Sequence, residues 1–330
     1  MKKKIIAGIL LSLVLVYLSV RGINFDETIE SLKNIKLLPV AGFVAIVLVM
    51  QFLRSYRWGV ILQPLQKLDQ FTLFAVTSVG FLAIAAIPAR LGEFARPYLI
   101  AQKSEIKFSS ALGTIFVERV LDSLAVISIM VISLTFMRLP DWMIKSSILF
   151  FIIAFLLLIF IIVLIWKRQT ASNVARRIFS KLPEKLAHKI DELIHHFIDG
   201  FKIITDIRML LYLLFLSALI WFVDVLAIYM LFLAFDFSLP FLAAVVLMIV
   251  LIAGIAIPTA PGYIGNWHFA CILGLSIFGM AKSEAFSFAV VYHFLSIAIV
   301  VVLGILFMPY NKFSLKEIKA LLNGKKSNNG

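Results

Sequence analysis

The chain has 330 residues, of which 62% are hydrophobic and 15% are charged, and its mean hydropathy is +1.04. These values exclude a soluble globular protein and indicate an integral membrane protein. The net charge of +13 is compatible with nucleic acid, but the basic residues flank apolar segments, which favours anionic lipid headgroups as their partners and no nucleic acid.

Nine apolar segments follow one another along the chain. They cover residues 5–20, 37–53, 71–87, 108–137, 147–166, 209–235, 241–257, 263–280 and 285–308. A membrane-spanning helix needs about 20 apolar residues, and none of the segments alternates polar and apolar residues as a β-barrel strand does. The sequence therefore predicts an all-α polytopic membrane protein.

The first segment follows the basic start MKKK, as in a secretory signal, but no small-x-small cleavage site comes after it. We therefore expect a retained first helix with a cytoplasmic N-terminus in the cell membrane. Basic residues also concentrate in the connector 167–208 and in the tail 309–330, so the positive-inside rule predicts that both are cytoplasmic. Residues 21–36 carry both signs of charge, as an outer loop does.

The segment 71–87 decides the predicted topology. If it crossed the membrane fully, the basic connector 167–208 would face outside. A turn at Pro88 inside the membrane, with residues 91–102 returning to the cytoplasmic side, reverses every later span and puts the connector and the tail inside. Pro88 removes a backbone donor, and Gly92 permits a tight turn. The sequence thus predicts a re-entrant helical hairpin.

The same pattern of prolines and glycines returns later in the chain. The residues predicted to shape two such hairpins are Pro88, Gly92, Pro258, Pro261 and Gly262. Positions 258 and 262 each stand 170 residues after positions 88 and 92, which predicts an internal repeat with halves 1–138 and 139–308. Each half would have three spans and one re-entrant hairpin. Because the first half starts in the cytoplasm and the second outside, the repeats would be inverted, as in many secondary transporters.

Charged residues inside the apolar segments need a reason, because an unpaired charge that faces lipid costs at least about 2.5–3.5 kcal/mol. The charged residues lie in the first hairpin and in the segment that follows it. The second hairpin carries uncharged polar residues instead. The predicted substrate-binding residues are Arg90, Glu93, Arg96, Glu118, Arg119, Asp122, Asn266 and His268. Arginine binds phosphate through two parallel hydrogen bonds, and nearby carboxylates keep the empty site neutral. The pattern predicts a cavity for an anionic or zwitterionic lipid headgroup.

Three stretches carry a resemblance to a known family: IPARLGEFARPYLI, then VERVLDSL, then IPTAPGYIG. In this order and at these separations they resemble the transmembrane flippase region of the lysylphosphatidylglycerol synthases and their stand-alone relatives, over roughly residues 5–308. The resemblance implies movement of an anionic, aminoacylated or polyprenyl-linked lipid between leaflets. The full synthases also carry a soluble aminoacyltransferase domain, for which residues 309–330 are too few. We therefore expect no aminoacyl transfer.

Two other interpretations of the charged residues stay open. They could be structural ion pairs that lock the helices together. The protein could also be an intramembrane lipid-modifying enzyme, related to the phosphatidylglycerol lysyltransferases, with Glu118 or Glu93 as general base. The sequence leaves open which lipid is bound, how movement is driven and the oligomeric state.

The connector could suggest a metal site, because acidic and histidine side chains recur there at helical spacing. These residues are Asp191, Glu192, His195, His196 and Asp199. Apolar residues also recur every three or four positions from Leu186 to Ile204, through Leu193, which predicts an amphipathic helix at the membrane interface. The histidines would then lie on its polar side, and we expect no metal and no cofactor.

Overall fold

The computed structural model describes residues 2–87, 92–133, 135–136, 141–167, 184–256 and 260–311. Every regular element within these ranges is a helix, which confirms the all-α class. The α-helices are α1 Lys2–Val20, α2 Phe25–Lys33, α3 Leu37–Leu62, α4 Gln70–Ala86, α5 Ala95–Lys103, α6 Phe108–Ser133, α7 Asp141–Trp166, α8 Glu184–Asp199, α9 Ile207–Ala234, α10 Phe241–Ala256, α11 Asn266–Ser276 and α12 Lys282–Phe307. The 3-10 helical residues are 92–94, Lys202–Thr205 and Pro261–Tyr263.

Among the described residues, three helices are long and apolar enough to cross a membrane: α3, α9 and α12. The end of α1 and the helix α2 meet at 85° and could together form a fourth span. Three apolar helical stretches are shorter, namely α4, residues 155–166 of α7 and α10. Helix α6 is as long as α3, but it carries three charged residues in its middle.

Several helix ends differ from the predicted segments because polar residues cap or continue a helix. Helix α3 runs to Leu62, nine residues beyond the predicted end at 53 (62 − 53), and so includes Arg57. The predicted outer loop 21–36 contains α2, whose first turn is capped by the Asn24 side chain accepting a hydrogen bond from the Asp26 N–H. Apolar periodicity cannot reveal a helix that polar caps define.

Asp69 plays the same capping part at the start of α4. Its carboxylate accepts a hydrogen bond from the Thr72 backbone N–H at 2.8 Å. The bonds from the Thr72 hydroxyl and from its N–H hold the pKa of Asp69 below its usual range. The cap fixes where α4 begins after the short loop from α3.

The chain packs into two compact units. Unit 1 comprises residues 1–52, 77–95 and 222–330, and unit 2 comprises residues 53–76 and 96–221. In unit 1, α11 packs against α1, α10 and α12, and Cys271 of α11 is fully buried. In unit 2, α6 packs against α7 and α8.

The connector differs from its prediction. Helix α8 ends at Asp199, and the chain turns at Gly200 before the 3-10 helix, so the single periodicity drawn from 186 to 204 is interrupted. Leu193, predicted on the apolar face, is 48% exposed, whereas Ile198 and Phe201 are buried. They join a core cluster with residues of α6 and α7. Part of the apolar face of the connector therefore packs against protein, and its position at the membrane interface stays a prediction.

A close backbone approach holds α8 against α6. A Cβ atom added to Gly113 of α6 would lie 2.3 Å from the Phe197 carbonyl oxygen, and one added to Gly200 would lie 2.4 Å from the Ser110 carbonyl oxygen. Only glycine fits at both positions without moving the backbone. The end of α8 is thereby fixed on α6 one to two turns before the charged residues of that helix.

Candidate functional site

Helix α6 carries the charged residues at the centre of the site. Glu118 and Asp122 are four residues apart and share one face of the helix, as the sequence predicts. Both belong to unit 2 and are buried, with 2% and 9% of their surface exposed. Two carboxylates so deeply buried require cationic partners, since a buried charge without a partner is very costly.

Arg96, the second residue of α5, is the main partner of Glu118. Its Nη1 and Nη2 donate to the two Glu118 oxygens at 2.8 and 3.1 Å, which is a bidentate pair. Arg96 is 2% exposed, and its guanidinium carbon lies 4.2 Å from the centroid of the Trp58 ring. The Trp58 indole N–H donates to the Thr114 hydroxyl at 3.1 Å, so the ring is itself held in place. Arg96 is thus fixed by a carboxylate and by an aromatic face.

Arg57 of α3 is the main partner of Asp122. Its Nη1 donates to one Asp122 oxygen, its Nη2 donates to the other at 3.2 Å, and its Nη1 also donates to the Ser217 hydroxyl at 2.7 Å. The Trp221 indole N–H donates to Asp122 Oδ1 at 3.2 Å. Arg57 Nη2 lies 3.6 Å from Glu118 Oε1, which joins the two pairs into one network.

Arg119 completes the network from the more open side. Its Nη2 lies 2.9 Å from Glu118 Oε1, its Nη1 lies 3.9 Å from Asp122 Oδ2, and its side chain is 44% exposed. We call the five side chains of Arg57, Arg96, Glu118, Arg119 and Asp122 the ion cluster. Three of them are cationic and two anionic, and the accessible one is an arginine. The arrangement can therefore offer a guanidinium to an anion while its carboxylates stay buried.

The first predicted hairpin is described in part. Pro88 and Arg90 lie outside the described residues. Gly92 and Glu93 lie in a short turn of unit 1, where Glu93 is half-buried. A Cβ atom on Gly92 would lie 2.3 Å from the Ala83 carbonyl oxygen, so the chain returns onto the end of α4 at that glycine. Gly92 therefore lies in close contact with the backbone of α4, and the hairpin itself stays a prediction.

The second predicted hairpin lies in unit 1. Pro258 is outside the described residues, while Pro261 and Gly262 belong to the 3-10 helix before α11, with φ of 69° at Gly262. Asn266 begins α11, and its side-chain amide donates to the Gly254 carbonyl oxygen at 3.1 Å. His268 is half-buried on the same helix. Asn266 and His268 therefore belong to unit 1, whereas the ion cluster belongs to unit 2.

The structure brings together four of the predicted residues, namely Arg96, Glu118, Arg119 and Asp122, and adds others that sequence reasoning missed. The additional residues are Arg57, Trp58, Ser217 and Trp221. Arg57 falls outside every predicted apolar segment because the apolar run ends at 53. The signal that could have found it is the apolar run that resumes at Trp58 and continues to Leu62, with no proline before Pro64.

Metal binding has no geometric support in the part of the chain that the structure describes. No group of three or more His, Cys, Asp or Glu side chains gathers there as a ligand set. On α8, His195 lies 3.8 Å from Asp191 and His196 lies 3.5 Å from Glu192, which are neighbours one helical turn apart. Such pairs are typical of a polar helix face.

Comparison with known proteins assigns the chain to a family. Residues 5–304 match the family described as the lysylphosphatidylglycerol synthase TM region. The chain belongs to this family. Its relatives include UPF0104 membrane proteins of two archaea. That of Methanocaldococcus jannaschii is 30% identical over 71% of this chain and 96% of its own length, and that of Methanothermobacter thermautotrophicus is 27% identical over 84% and 88%.

No solved structure matches the chain. Membership of the lysylphosphatidylglycerol synthase TM region family confirms the resemblance seen in the three sequence stretches. Together with the apolar helices, it identifies a multi-pass membrane protein.

Proposed function

We propose that this protein is a lipid translocase of the cell membrane. It would move an anionic, aminoacylated or polyprenyl-linked lipid between leaflets, with both termini in the cytoplasm. The observation that carries the proposal is the ion cluster, in which a half-exposed arginine, Arg119, shares buried carboxylates with two buried arginines. An arginine that is already desolvated in part, and held by carboxylates, can exchange one anionic partner for another.

The chemistry of such an exchange follows from the donors. A phosphate oxygen that approaches Arg119 would replace Glu118 Oε1 as acceptor, while Arg96 keeps Glu118 neutralised. The headgroup would thus enter a polar site inside the protein while its acyl or prenyl tails stay in the bilayer. Binding would be governed by hydrogen bonds to a charged group, which are worth about 1.5–3 kcal/mol each.

Helix bounds support the proposed repeat of halves 1–138 and 139–308. Adding 170 to the bounds of α3 gives 207–232, and α9 covers 207–234. Adding 170 to the bounds of α4 gives 240–256, and α10 covers 241–256. Helices α4 and α10 have 17 and 16 residues, which is short for a full crossing and suits the first arm of a re-entrant hairpin.

Side-chain contacts at the same positions, counted from the start of each helix, support the same proposal. In the first half the second residue of α5, Arg96, bonds the eleventh residue of α6, Glu118. In the second half the second residue of α11, Trp267, packs on the eleventh residue of α12, Tyr292, with ring centroids 5.0 Å apart. The two halves would then share the same pairing of helices, held by an ion pair in the first half and by an aromatic contact in the second.

The proposed topology predicts which reagents reach which sites. Cysteines introduced at Lys103 and at Arg176 are expected to react with a membrane-impermeant thiol reagent from the cytoplasmic side, because the re-entrant arrangement returns the chain there. A cysteine at Glu27, on exposed α2, is the control and is expected to react from outside. Labelling of the Lys103 site from outside alone would contradict the hairpin proposed for residues 71–102.

The proposed function is tested by lipid movement in reconstituted vesicles. Arg119→Gln is expected to slow the exchange of a fluorescent anionic phospholipid between leaflets by about tenfold or more, because loss of a charged hydrogen bond of about 1.5–3 kcal/mol weakens headgroup binding by that factor. Arg119→Lys should recover part of the rate, since it keeps the charge without the two-pronged geometry. Arg208→Gln, an exposed arginine at the start of α9, is the matched control and should exchange lipid like the wild type. Equal rates for Arg119→Gln and wild type would overturn the role of Arg119.

The structure weighs against the alternative of a lipid-modifying enzyme with Glu118 as general base. Both Glu118 oxygens accept hydrogen bonds from arginines, and the residue is 2% exposed. A general base needs a lone pair within reach of the substrate proton. Headgroup release by the purified protein, measured on the same lipids, would nevertheless decide for the enzyme.

A further inference from the structure

Two histidines meet inside unit 1. His268 lies on α11 and His293 on α12, and their ring centroids are 4.9 Å apart at an interplanar angle of 73°. We call them the histidine pair. Helix α12 is long and apolar enough to cross a membrane, and His293 is the twelfth of its 26 residues, near the middle of the span (293 − 282 + 1 = 12). Ionisable side chains at this depth are rare and mark ion and proton pathways.

The hydrogen-bond partner of His293 defines where it can gain a proton. Its Nε2 lies 2.6 Å from the Gly262 carbonyl oxygen. A carbonyl only accepts, so Nε2 carries a hydrogen, and Nδ1 is the atom that binds an added proton. His268 Nδ1 is buried and makes no hydrogen bond within the described residues. The histidine pair thus offers protonation sites, and the other ring contacts of the two imidazoles are aromatic.

The surroundings limit the histidine pair to one positive charge. Helices α1, α2, α9 and α10 pack against α11 or α12. The ionisable side chains described on them within unit 1, on α12 and in the turn before α11 are Tyr17, Asp26, Glu27, Glu30, Lys33, Asp224, Tyr229, Tyr263, Lys282, Glu284 and Tyr292. Among the contacts of the described residues, neither imidazole has a carboxylate partner, and the rings touch Trp267, Phe286 and each other. Two imidazolium rings in contact would repel strongly in this low-dielectric setting. The histidine pair therefore accepts a single proton.

The proton would act on the turn that precedes α11. Three residues of this turn have positive φ, with values of 69° at Gly262, 59° at Tyr263 and 96° at Gly265. Left-handed backbone is unfavourable at Tyr263, whose Cβ crowds the following carbonyl, so the turn depends on its anchors. One anchor is the His293 bond to Gly262, and the other is the Ser12 hydroxyl, which donates to the Ile264 carbonyl oxygen. A charged imidazole donates a stronger hydrogen bond, so protonation would tighten the turn.

We propose that the histidine pair is a one-proton binding site that couples lipid movement to a transmembrane proton gradient, an inference that rests on the proposed translocase function. Helical register supports it. His293 is the twelfth residue of α12, and Arg119 is the twelfth residue of α6 (119 − 108 + 1 = 12). The first proposed half thus carries a permanently charged arginine at the helix position where the second half carries a histidine, which can gain and lose a proton.

Proton binding can be measured without any lipid assay. The chain has five histidines, so replacing His188, His195 and His196 by glutamine leaves the histidine pair alone. In this variant, ¹⁵N-histidine NMR in detergent is expected to show both rings shifting with one shared midpoint and a total uptake of one proton. Adding His293→Gln should leave His268 titrating alone at a different midpoint. Two independent one-proton titrations, or no uptake while the protein stays folded, would overturn the proposal.

Coupling is tested in vesicles with an imposed pH difference. For one proton per lipid, a difference of one pH unit is worth about 1.4 kcal/mol and should drive the leaflet ratio of a fluorescent anionic phospholipid towards about tenfold. The ratio for His293→Gln and for His268→Gln should not depend on the gradient. If the wild type moves lipid but its leaflet ratio does not depend on the pH gradient, the proposed coupling is wrong and the translocase function is unaffected. Absence of any movement by the wild type, with or without a gradient, would overturn both.

Discussion

Replacing Arg96 by methionine is expected to lower the free energy of unfolding by about 3 kcal/mol and to abolish lipid movement. Breaking a buried ion pair costs about 3–5 kcal/mol because it leaves a charge without its partner. The lower figure applies here because Arg57 and Arg119 still neutralise Glu118, at 3.6 and 2.9 Å. Thermal unfolding in detergent and lipid exchange in vesicles, measured on the same preparation, test both expectations.

A double variant separates stability from function. Arg96→Met with Glu118→Leu removes both charges of the bidentate pair, and replacing a whole buried pair by apolar groups is often neutral or stabilising. We expect it to regain most of the lost stability, since Asp122 still pairs with Arg57, and to remain unable to move lipid. A double variant that regains lipid exchange together with stability would show that the Arg96–Glu118 pair only locks the helices, and would leave the role of Arg119 to its own variant.

Replacing Gly113 by alanine is expected to destabilise the protein by about 1–3 kcal/mol, the usual cost of overpacking. The new methyl group would lie 2.3 Å from the Phe197 carbonyl oxygen and 3.2 Å from the Gly200 Cα, so one helix backbone must move. Because Gly113 lies five residues before Glu118 on α6, we also expect slower lipid exchange.

Gly42→Ala is the matched control, because Gly42 is likewise a helical glycine. Its added methyl group would lie 3.4 Å from the Met230 sulfur, an ordinary contact with a flexible side chain. Alanine is favoured over glycine in a helix by about 1 kcal/mol, so Gly42→Ala should be neutral or stabilising. Equal thermal stability of the Gly42→Ala and Gly113→Ala proteins would contradict the importance of the α6–α8 approach.

The sequence revealed the centre of the site because its chemistry is local. Glu118, Arg119 and Asp122 lie within five residues on a single helix. Charged residues inside an apolar segment are easily recognised in the sequence. Arg96 lies near the turn at Gly92, in the stretch that carries the family resemblance. These residues could be selected without any tertiary information, since the cost of a charge in lipid already requires them to be paired.

The partners across helices could not be predicted. Arg57 and Asp122 are 65 positions apart, and nothing in the pattern of α3 indicates which face meets α6. The end of the connector helix at Asp199 could not be predicted for a related reason, since helical periodicity shows that a face is apolar but not what packs against it. The close approach of the Gly113 and Gly200 backbones places the end of α8 on α6, and composition does not reveal such an approach.

The burial of Cys271 has a practical consequence for chemical probing of the molecule. It is the sole cysteine of the sequence, and none of its surface is exposed. A maleimide or methanethiosulfonate added to the folded protein therefore finds no native target. Spin labels, fluorophores and crosslinkers can be attached to a single engineered thiol in the otherwise native chain, and distances between two such thiols can be followed as lipid or protons are supplied. Reaction at position 271 would in turn report unfolding of the α11 packing.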